Sequence, residues 1–195
     1  MKHTHTEHED YNTLNEAKTC MQNVAAVINE RKRRLENVNK LARWQLTVSN
    51  WKDEDIVMKS SDLLFKGPLL KINNGRECER FVYLFDHQLI YFVKEENKRQ
   101  PLCYRGRIDL DTAIIENLGD NHVFIRGDTV PNVWRIWNTS KTKWCYFRAE
   151  TAERKENWLK ALENEREHVK EEQKQGTDEI FVCGIRKWEL IFNAK

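Results

Sequence analysis

Residues 151–175 constrain the fold most, because they predict a helix with one large aromatic residue on a short apolar stripe. Thr151 can cap the helix, and Glu153 lies favourably in its first turn. The apolar positions recur at helical spacing: Trp158, Leu159, Leu162 and Val169. So few apolar positions require a larger partner for folding. A buried indole removes about 150–250 Å² from water, so Trp158 is predicted to anchor the helix.

Strand patterns precede this helix at short intervals. The predicted strands are 63–72, 81–93, 102–110, 113–117, 123–126, 133–137 and 143–149, with a tight-turn signal at Asn73-Asn74-Gly75. Alternation in the last two strands predicts inward-facing Trp134, Ile136, Cys145, Phe147 and Ala149. Because every connection is too short for a parallel crossover, we expect a seven-stranded antiparallel sandwich or barrel, capped by the C-terminal helix.

Residues 11–46 predict one long helix that contains no glycine or proline. Its apolar residues keep a spacing of three or four: Leu14, Ala17, Met21, Val24, Ile28, Leu35, Val38 and Ala42. At ~1.5 Å per residue the helix is about 50 Å long. The stripe therefore pairs either with another copy of the chain or with helices that this chain lacks. The basic run 31–34 is either a solvated face or a patch for an anionic surface.

The remaining segments are predicted with less regular structure. Residues 1–10 are predicted to be a disordered tail, and 47–62 a linker in which Trp51 and Ile56 lie against the β-domain of residues 63–175. The tail 176–195 has apolar residues that suit either a helix or two strands, and its role is not determined by the pattern.

Composition excludes several classes of protein. With 33% charged residues and no apolar run near ~18 residues, no membrane span is expected. The 33 basic residues face 31 acidic ones, so no nucleic-acid partner is expected. Five widely spaced cysteines suit a reducing cytosol. The sequence has no nucleophile elbow, phosphate loop or paired metal-ligand spacing, so we expect no catalytic residues, metal site or cofactor.

Several motifs in order carry a resemblance to a known family. The segment Arg80-Phe-Val-Tyr-Leu-Phe-Asp-His-Gln-Leu-Ile90 resembles the second and third strands of a pleckstrin-homology (PH) domain as it occurs in Dbl-family Rho guanine-nucleotide exchange factors, and the Trp158 helix resembles the helix that closes that domain. Asp10-Tyr11 and residues 25–36 resemble the last helix of the Dbl-homology domain that precedes it. Residues 42–45, Trp51, 55–56 and 104–111 are similar to the collybistin and Asef branch.

This resemblance implies a cytoplasmic module that associates peripherally with the plasma membrane. Its implied partners are a phosphoinositide membrane surface, a Rho-family small GTPase and the rest of an exchange domain. Most of the Dbl-homology bundle, which contacts the GTPase in this family, is absent from the chain. The resemblance therefore implies no exchange activity, and no enzyme activity, for this chain alone.

The resemblance also implies a binding site at the first hairpin, where PH domains place basic residues that bind inositol phosphates. The candidate phosphoinositide-binding residues are Lys71, Arg76, Arg80, Lys98 and Arg99, assisted by Arg105 and Arg107. Glu77 and Glu79 interleave with them, so weak and poorly selective binding is expected. Two alternatives stay open: ordinary solvated charges, or a protein-interaction or autoinhibitory module that docks on the exchange domain or on the GTPase.

Overall fold

The computed structural model describes residues 8–95, 101–120, 123–125 and 127–175. Two long helices, α1 (Tyr11–Gln45) and α2 (Ala152–Gln175), flank the strands, and short 3-10 helices occupy Ile56–Met58 and Thr139–Lys141. The strands are β1 (Val48–Ser49), β2 (Leu63–Asn73), β3 (Arg76–Phe85), β4 (Gln88–Lys94), β5 (Leu102–Asp109), β6 (Ile114–Asn117), β7 (Phe124–Ile125), β8 (Asp128–Thr129), β9 (Val133–Asn138) and β10 (Lys143–Arg148).

Eight strands form one sheet in the order β1-β5-β4-β3-β2-β10-β9-β6. Neighbouring strands are antiparallel except β1, whose Val48 pairs in parallel with Leu102 of β5. The expected fold is therefore confirmed, with a long N-terminal helix, a sheet of this type and a C-terminal helix. The predicted all-antiparallel pairing needs one correction: β1 lies in the predicted linker, and it makes the sheet mixed.

The single strand 81–93 that the pattern predicts is wrong, because the segment forms two strands, as its resemblance to two successive PH-domain strands implies. A turn at Asp86 and His87 separates β3 from β4, and His87 adopts a positive φ of 68°. Asp86 is buried and accepts hydrogen bonds from the Ser61 amide (2.9 Å), the Ser61 hydroxyl (2.8 Å) and the Asp62 amide (2.8 Å). The turn at Asp86 and His87 therefore ends β3, and the Asp86 carboxylate binds the linker to the sheet.

The predicted strand 123–126 also needs correction. Only Phe124 and Ile125 are extended, and they pair with β8 in a separate two-stranded sheet. The main sheet has eight strands instead of the predicted seven: β3 and β4 replace one predicted strand, β7 is not part of the sheet, and β1 of the linker is added.

The interior of the barrel is filled from both ends of the sheet. The predicted inward residues of β9 and β10 are all buried, and they pack with β3, β4 and β5 side chains such as Val82, Tyr91 and Ile108. Strands from both ends meet in this cluster, so the sheet closes on itself.

Helix α2 covers one end of this barrel. Thr151 caps it through a hydrogen bond from the Arg154 amide to its hydroxyl (3.2 Å). Trp158 is 3% exposed, and its ring lies edge-on to Phe65 with centroids 4.8 Å apart. Trp158 therefore lies in the contact between α2 and the barrel, and its role as the anchor of the helix stays a prediction.

A second apolar cluster lies on the outer face of β3 and β4, under the end of α1. Trp44 stacks on Tyr83 with ring centroids 5.2 Å apart, and its edge meets Phe92 at 5.7 Å. Trp51 and the fully buried Ile56 belong to the same cluster. Because both faces are covered, β4 is buried along most of its length. The long helix and the barrel are therefore joined by packed side chains.

Polar contacts fix α1 to the linker about two to three turns before Trp44. Arg33 donates to both carboxylate oxygens of Asp62 (2.9 and 3.2 Å), and Asn37 donates to the same carboxylate. Glu30 pairs with Arg33 and Arg34, and these guanidinium groups lower the pKa of Glu30 to about 2. Half of the basic run 31–34 is thus used in ion pairs. The apolar stripe closer to Tyr11 is exposed, as Met21 (73%) illustrates.

Candidate anion-binding site at the open end of the barrel

Lys71 and Arg80 belong to the two strands of the first hairpin and are directed to the barrel interior. Lys71 lies opposite Cys78 on one side and Phe147 on the other. Arg80 pairs with the buried Leu69 and shares the parity of the core residues on β3. Both side chains therefore lie where the interior opens, at the end of the barrel away from α2. We call this end the mouth.

Tyr91 forms the floor of the mouth. It is 4% exposed, and the Lys71 ammonium lies 4.6 Å from the centroid of its ring, within the range of a cation–π contact. Burial raises the pKa of the Tyr91 hydroxyl to about 12, so this group is a neutral donor at physiological pH.

Two further lysines reach the same place from a distant part of the chain. Lys141 ends the short helix between β9 and β10, and Lys143 begins β10. Burial lowers the pKa of the Lys71 ammonium, and the positive charges of neighbouring side chains lower it further; these neighbours are Lys143, Lys141 and Arg80. The four cations, Lys71, Arg80, Lys141 and Lys143, are hereafter the mouth cluster.

A buried asparagine holds the lysine loop in position. The Asn138 side-chain oxygen accepts a hydrogen bond from the Lys141 amide (3.2 Å), and its nitrogen donates to the Arg107 carbonyl (3.1 Å). Asn138 is 1% exposed, so both bonds are shielded from water. The loop is therefore attached to β5 rather than free to move away from the mouth.

The other predicted cations are distributed differently. Arg76 is exposed at the start of β3, at the end of the hairpin. Arg107 forms ion pairs with Asp53 (3.7 Å) and Glu54 (3.5 Å) of the linker, and Arg105 lies 4.0 Å from Glu95. Lys98 and Arg99 lie outside the described residues. The structure therefore brings Lys71 and Arg80 together, whereas Arg105 and Arg107 contact acidic residues.

The interleaved acids are separated from the mouth cluster by strand parity. Glu77 pairs with Arg148 at 2.6 Å on the outer face of the sheet. Glu79 is exposed, and its backbone carbonyl accepts a hydrogen bond from the Arg80 guanidinium (2.6 Å). The field of Glu77 is thus largely neutralised, whereas the Glu79 charge still opposes an anion near Arg80.

The absence of a Cβ at Gly106 leaves space for the Tyr91 hydroxyl, so a larger residue at position 106 tests the shape of the mouth. Gly106 has a φ of 151°, and a Cβ there would lie 2.5 Å from the Tyr91 hydroxyl oxygen and 3.3 Å from the Lys141 ammonium. Gly106→Ala is therefore expected to lower the free energy of unfolding by about 1–3 kcal/mol and to displace both groups. Urea unfolding measures the first effect. Gly75→Ala is the matched control for a positive φ, because no atom lies within 4 Å of its Cβ position.

In the part of the chain that the structure describes, no group of three or more histidine, cysteine, aspartate or glutamate residues is arranged to hold a metal ion. None of the helices there is long and apolar enough to cross a membrane.

The sequence comparisons agree with this architecture. The SOS1/NGEF-like PH-domain family matches residues 57–165, from the linker to the middle of α2. The chain belongs to this family of PH domains. The match spans more than half of the chain, and it includes the strands that form the mouth.

Relatives extend the match to the long helix. Rho guanine nucleotide exchange factor 4 of Homo sapiens is 36% identical over 196 residues, covering 100% of this chain and 28% of that protein. Rho guanine nucleotide exchange factor 9 of Homo sapiens is 37% identical over 178 residues, covering 90% of the chain and 34% of that protein. These are Asef and collybistin, so the predicted branch of the Dbl family is confirmed. The chain spans about a third or less of both relatives.

Solved structures of exchange factors share the fold. Autoinhibited Vav1 aligns with a TM-score of 0.62 and 18% identity, covering 84% of this chain and 28% of that one. The linker-DH/PH domains of p115-RhoGEF align with a TM-score of 0.56 and 18% identity, covering 82% of this chain and 48% of that one. Both alignments cover more of the chain than the PH domain alone, which agrees with a PH domain preceded by a long helix.

Proposed function

We propose that this PH domain is the membrane-targeting and regulatory part of a Rho-family guanine-nucleotide exchange factor, and that it binds phosphoinositide headgroups weakly at its mouth. The observation that carries the proposal is the mouth cluster, in which Lys71 lies over the ring of Tyr91 and the charges of Lys143, Lys141 and Arg80 act on its ammonium. The similarity to Rho exchange factors supports the wider assignment. In this proposal the protein acts in the cytoplasm and at the inner face of the plasma membrane.

The lowered pKa of Lys71 indicates what the mouth cluster lacks. Burial and three nearby positive charges make the Lys71 ammonium less favourable than in water. A phosphate placed among these charges would stabilise all four cations at once, since lysine and arginine bind phosphate by charge-assisted hydrogen bonds. Binding of an anion is thus expected to raise the pKa of Lys71 again.

Weak affinity follows from what surrounds the cluster. Arg80 is already bonded to the Glu79 carbonyl, Glu79 carries an opposing charge, and Arg107 is paired with linker acids. Each cation near an anionic surface contributes about 1 kcal/mol, and four such contributions correspond to weak binding that depends on salt. This proposal includes Arg76, Lys98 and Arg99 as charges that add attraction without fixing the headgroup.

The first test is charge reversal in the mouth. Lys71→Glu combined with Arg80→Glu is expected to weaken binding to phosphoinositide-containing vesicles at least about tenfold, because two attractive charges become repulsive. Vesicle sedimentation with mono- and bis-phosphorylated phosphoinositides, at low and high salt, measures the effect.

Arg31→Glu with Lys32→Glu is the matched control. It makes the same change in net charge at exposed positions on α1. Equal losses in both double variants would mean non-specific attraction and would contradict a site in the mouth. Absence of binding by the unaltered chain would contradict the membrane function itself.

The second candidate function is docking on an exchange domain or on a Rho-family GTPase, and the exposed stripe of α1 favours it. Leu14, Val24 and Ile28 each expose about half of their surface, which is unusual for a helix that acts alone. If this stripe is a docking surface for other helices, the chain by itself should self-associate weakly through it. The double variant Val24→Glu with Ile28→Glu should not self-associate. Sedimentation velocity of the unaltered chain and of this double variant measures the association.

A further inference from the structure

A row of large side chains lies on the outer face of the sheet beside the mouth. Ile114 of β6 is the register partner of Trp137 in β9, and Trp137 is the partner of Trp144 in β10. We call these three residues the tryptophan row. Their sequence neighbours Ile115, Ile136 and Cys145 contact the core, so the row faces outward. Ile114 is 55% exposed, and the two indoles are half-buried.

The row is arranged as one continuous surface. The rings of Trp137 and Trp144 meet edge to face with centroids 5.3 Å apart. The Arg135 guanidinium lies 4.0 Å from the centroid of the Trp144 ring and pairs with Glu116 at 2.6 Å. The contact between the two rings and the contact of Arg135 with Trp144 thus hold the indoles in place, and both indoles remain partly exposed.

The row borders the mouth cluster directly. Lys143 precedes Trp144 in β10. Lys141 lies in the short helix between β9, which carries Trp137, and β10, which carries Trp144. Within the residues that the structure describes, neither lysine has a salt-bridge partner. A surface that combines exposed apolar side chains with unneutralised lysines is complementary to an anionic bilayer, because the apolar groups favour the lipid interface and the lysines attract anionic headgroups.

We propose that the tryptophan row contacts the boundary between headgroups and acyl chains of an anionic bilayer while the mouth cluster holds a phosphorylated headgroup. This inference rests on the proposed membrane function. Tryptophan is enriched at this boundary because its ring is apolar and its N–H is polar. The row supplies attraction that does not decrease with salt, whereas the attraction of the mouth cluster does. Together they fix the side of the barrel that faces the membrane.

The test uses the whole chain and vesicles of phosphatidylcholine, phosphatidylserine and phosphatidylinositol bisphosphate. Ile114→Ser is expected to weaken binding about fivefold at high salt, where the apolar contribution dominates. Leu64→Ser is the matched control. Leu64 is 39% exposed but lies at the end of β2 away from Lys71 and the mouth, so no loss of vesicle binding is expected. Ile114 is an exposed position, and its replacement should leave the fold intact.

A second measurement locates the indoles without weakening the fold. Trp137→Phe with Trp144→Phe keeps aromatic rings in the row. In vesicles containing brominated phospholipid, the unaltered chain should show quenched tryptophan fluorescence, and most of this quenching should disappear in the double variant. Trp44→Phe, which replaces a ring of α1 that is packed on Tyr83, should retain it.

The outcomes separate this inference from the proposed function. If charge reversal in the mouth abolishes binding but Ile114→Ser and the quenching variants change nothing, the row is not a membrane contact and the proposed function stands. A protein partner would then be the better explanation of the row. If the chain binds no vesicles at all, the proposed function and the inference are both wrong. Loss at high salt together with loss of quenching supports the inference.

Discussion

Replacing Trp158 by alanine is expected to lower the free energy of unfolding by about 3–5 kcal/mol, as for other buried tryptophans in protein cores. The ring is 3% exposed and contacts Phe65 edge-on. It also lies over the strand at Gly67, where a Cβ would be 3.7 Å from the indole. No neighbouring side chain can fill the space, because Phe65 and Leu162 are already packed in the same cluster.

Urea unfolding followed by circular dichroism measures this loss as a lower midpoint at an unchanged slope. Trp158→Phe keeps an aromatic ring and should cost about 1–2 kcal/mol, by analogy with smaller core truncations. Met21→Ala, at a position 73% exposed, should be nearly neutral. A loss below about 1 kcal/mol in Trp158→Ala would mean that α2 is held mainly by its polar contacts.

The second large effect is expected at Asp86. Its carboxylate accepts three hydrogen bonds from Ser61 and Asp62, and Ser61 is itself buried. Asp86→Ala leaves these donors without partners, at a cost of about 2–4 kcal/mol. Burial raises the pKa of the Asp86 carboxyl, so the ionised group is held at a desolvation cost. Asp86→Asn removes that cost and keeps one acceptor, and it should lose only about 1–2 kcal/mol.

Two readouts distinguish the role of Asp86 from general destabilisation. Because Asp62 also receives Arg33 of α1, Asp86→Ala should increase hydrogen exchange in residues 56–62 more than in β9 or β10. Asp10→Ala, at an exposed position that makes no side-chain cap bond, should change neither stability nor exchange. Uniform acceleration throughout the barrel would show that Asp86 stabilises the whole domain rather than the junction.

The sequence pattern was sufficient for the barrel because most of its strands alternate between a buried and a solvated face. It failed where β3 runs into β4, because one face of these strands lies in the barrel core and α1 and the linker cover the other face. Without alternation, the apolar run 81–93 contained no sign of the turn except the pair Asp86 and His87. The failure at 123–126 is different, because two residues that pair only with β8 cannot be distinguished from a sheet strand by local pattern.

The candidate site was predictable only where neighbouring strands form it. Strand parity placed Lys71 and Arg80 on the interior side of one hairpin. Lys141 and Lys143 were missed because they reach the mouth through the closure of the barrel, some seventy residues away in sequence. The available signal was the pair of lysines around the 139–142 turn, which read as an ordinary loop. The position of the Tyr91 ring in the mouth depends on the neighbouring strand, where Gly106 has no Cβ to collide with the Tyr91 hydroxyl. This contact too is tertiary and cannot be predicted from the local pattern.

The packing of Trp44 on Tyr83 has a mechanical consequence for the long helix. From Trp44 to Tyr11 the helix extends about 50 Å from the barrel, so a tilt of about ten degrees at this junction displaces its far end by about 9 Å. The stacked rings and the pair of bonds between Arg33 and Asp62 resist such a tilt. The orientation of the barrel on α1 therefore sets, to within a few ångströms, the position of any helices that pack on the far half of α1.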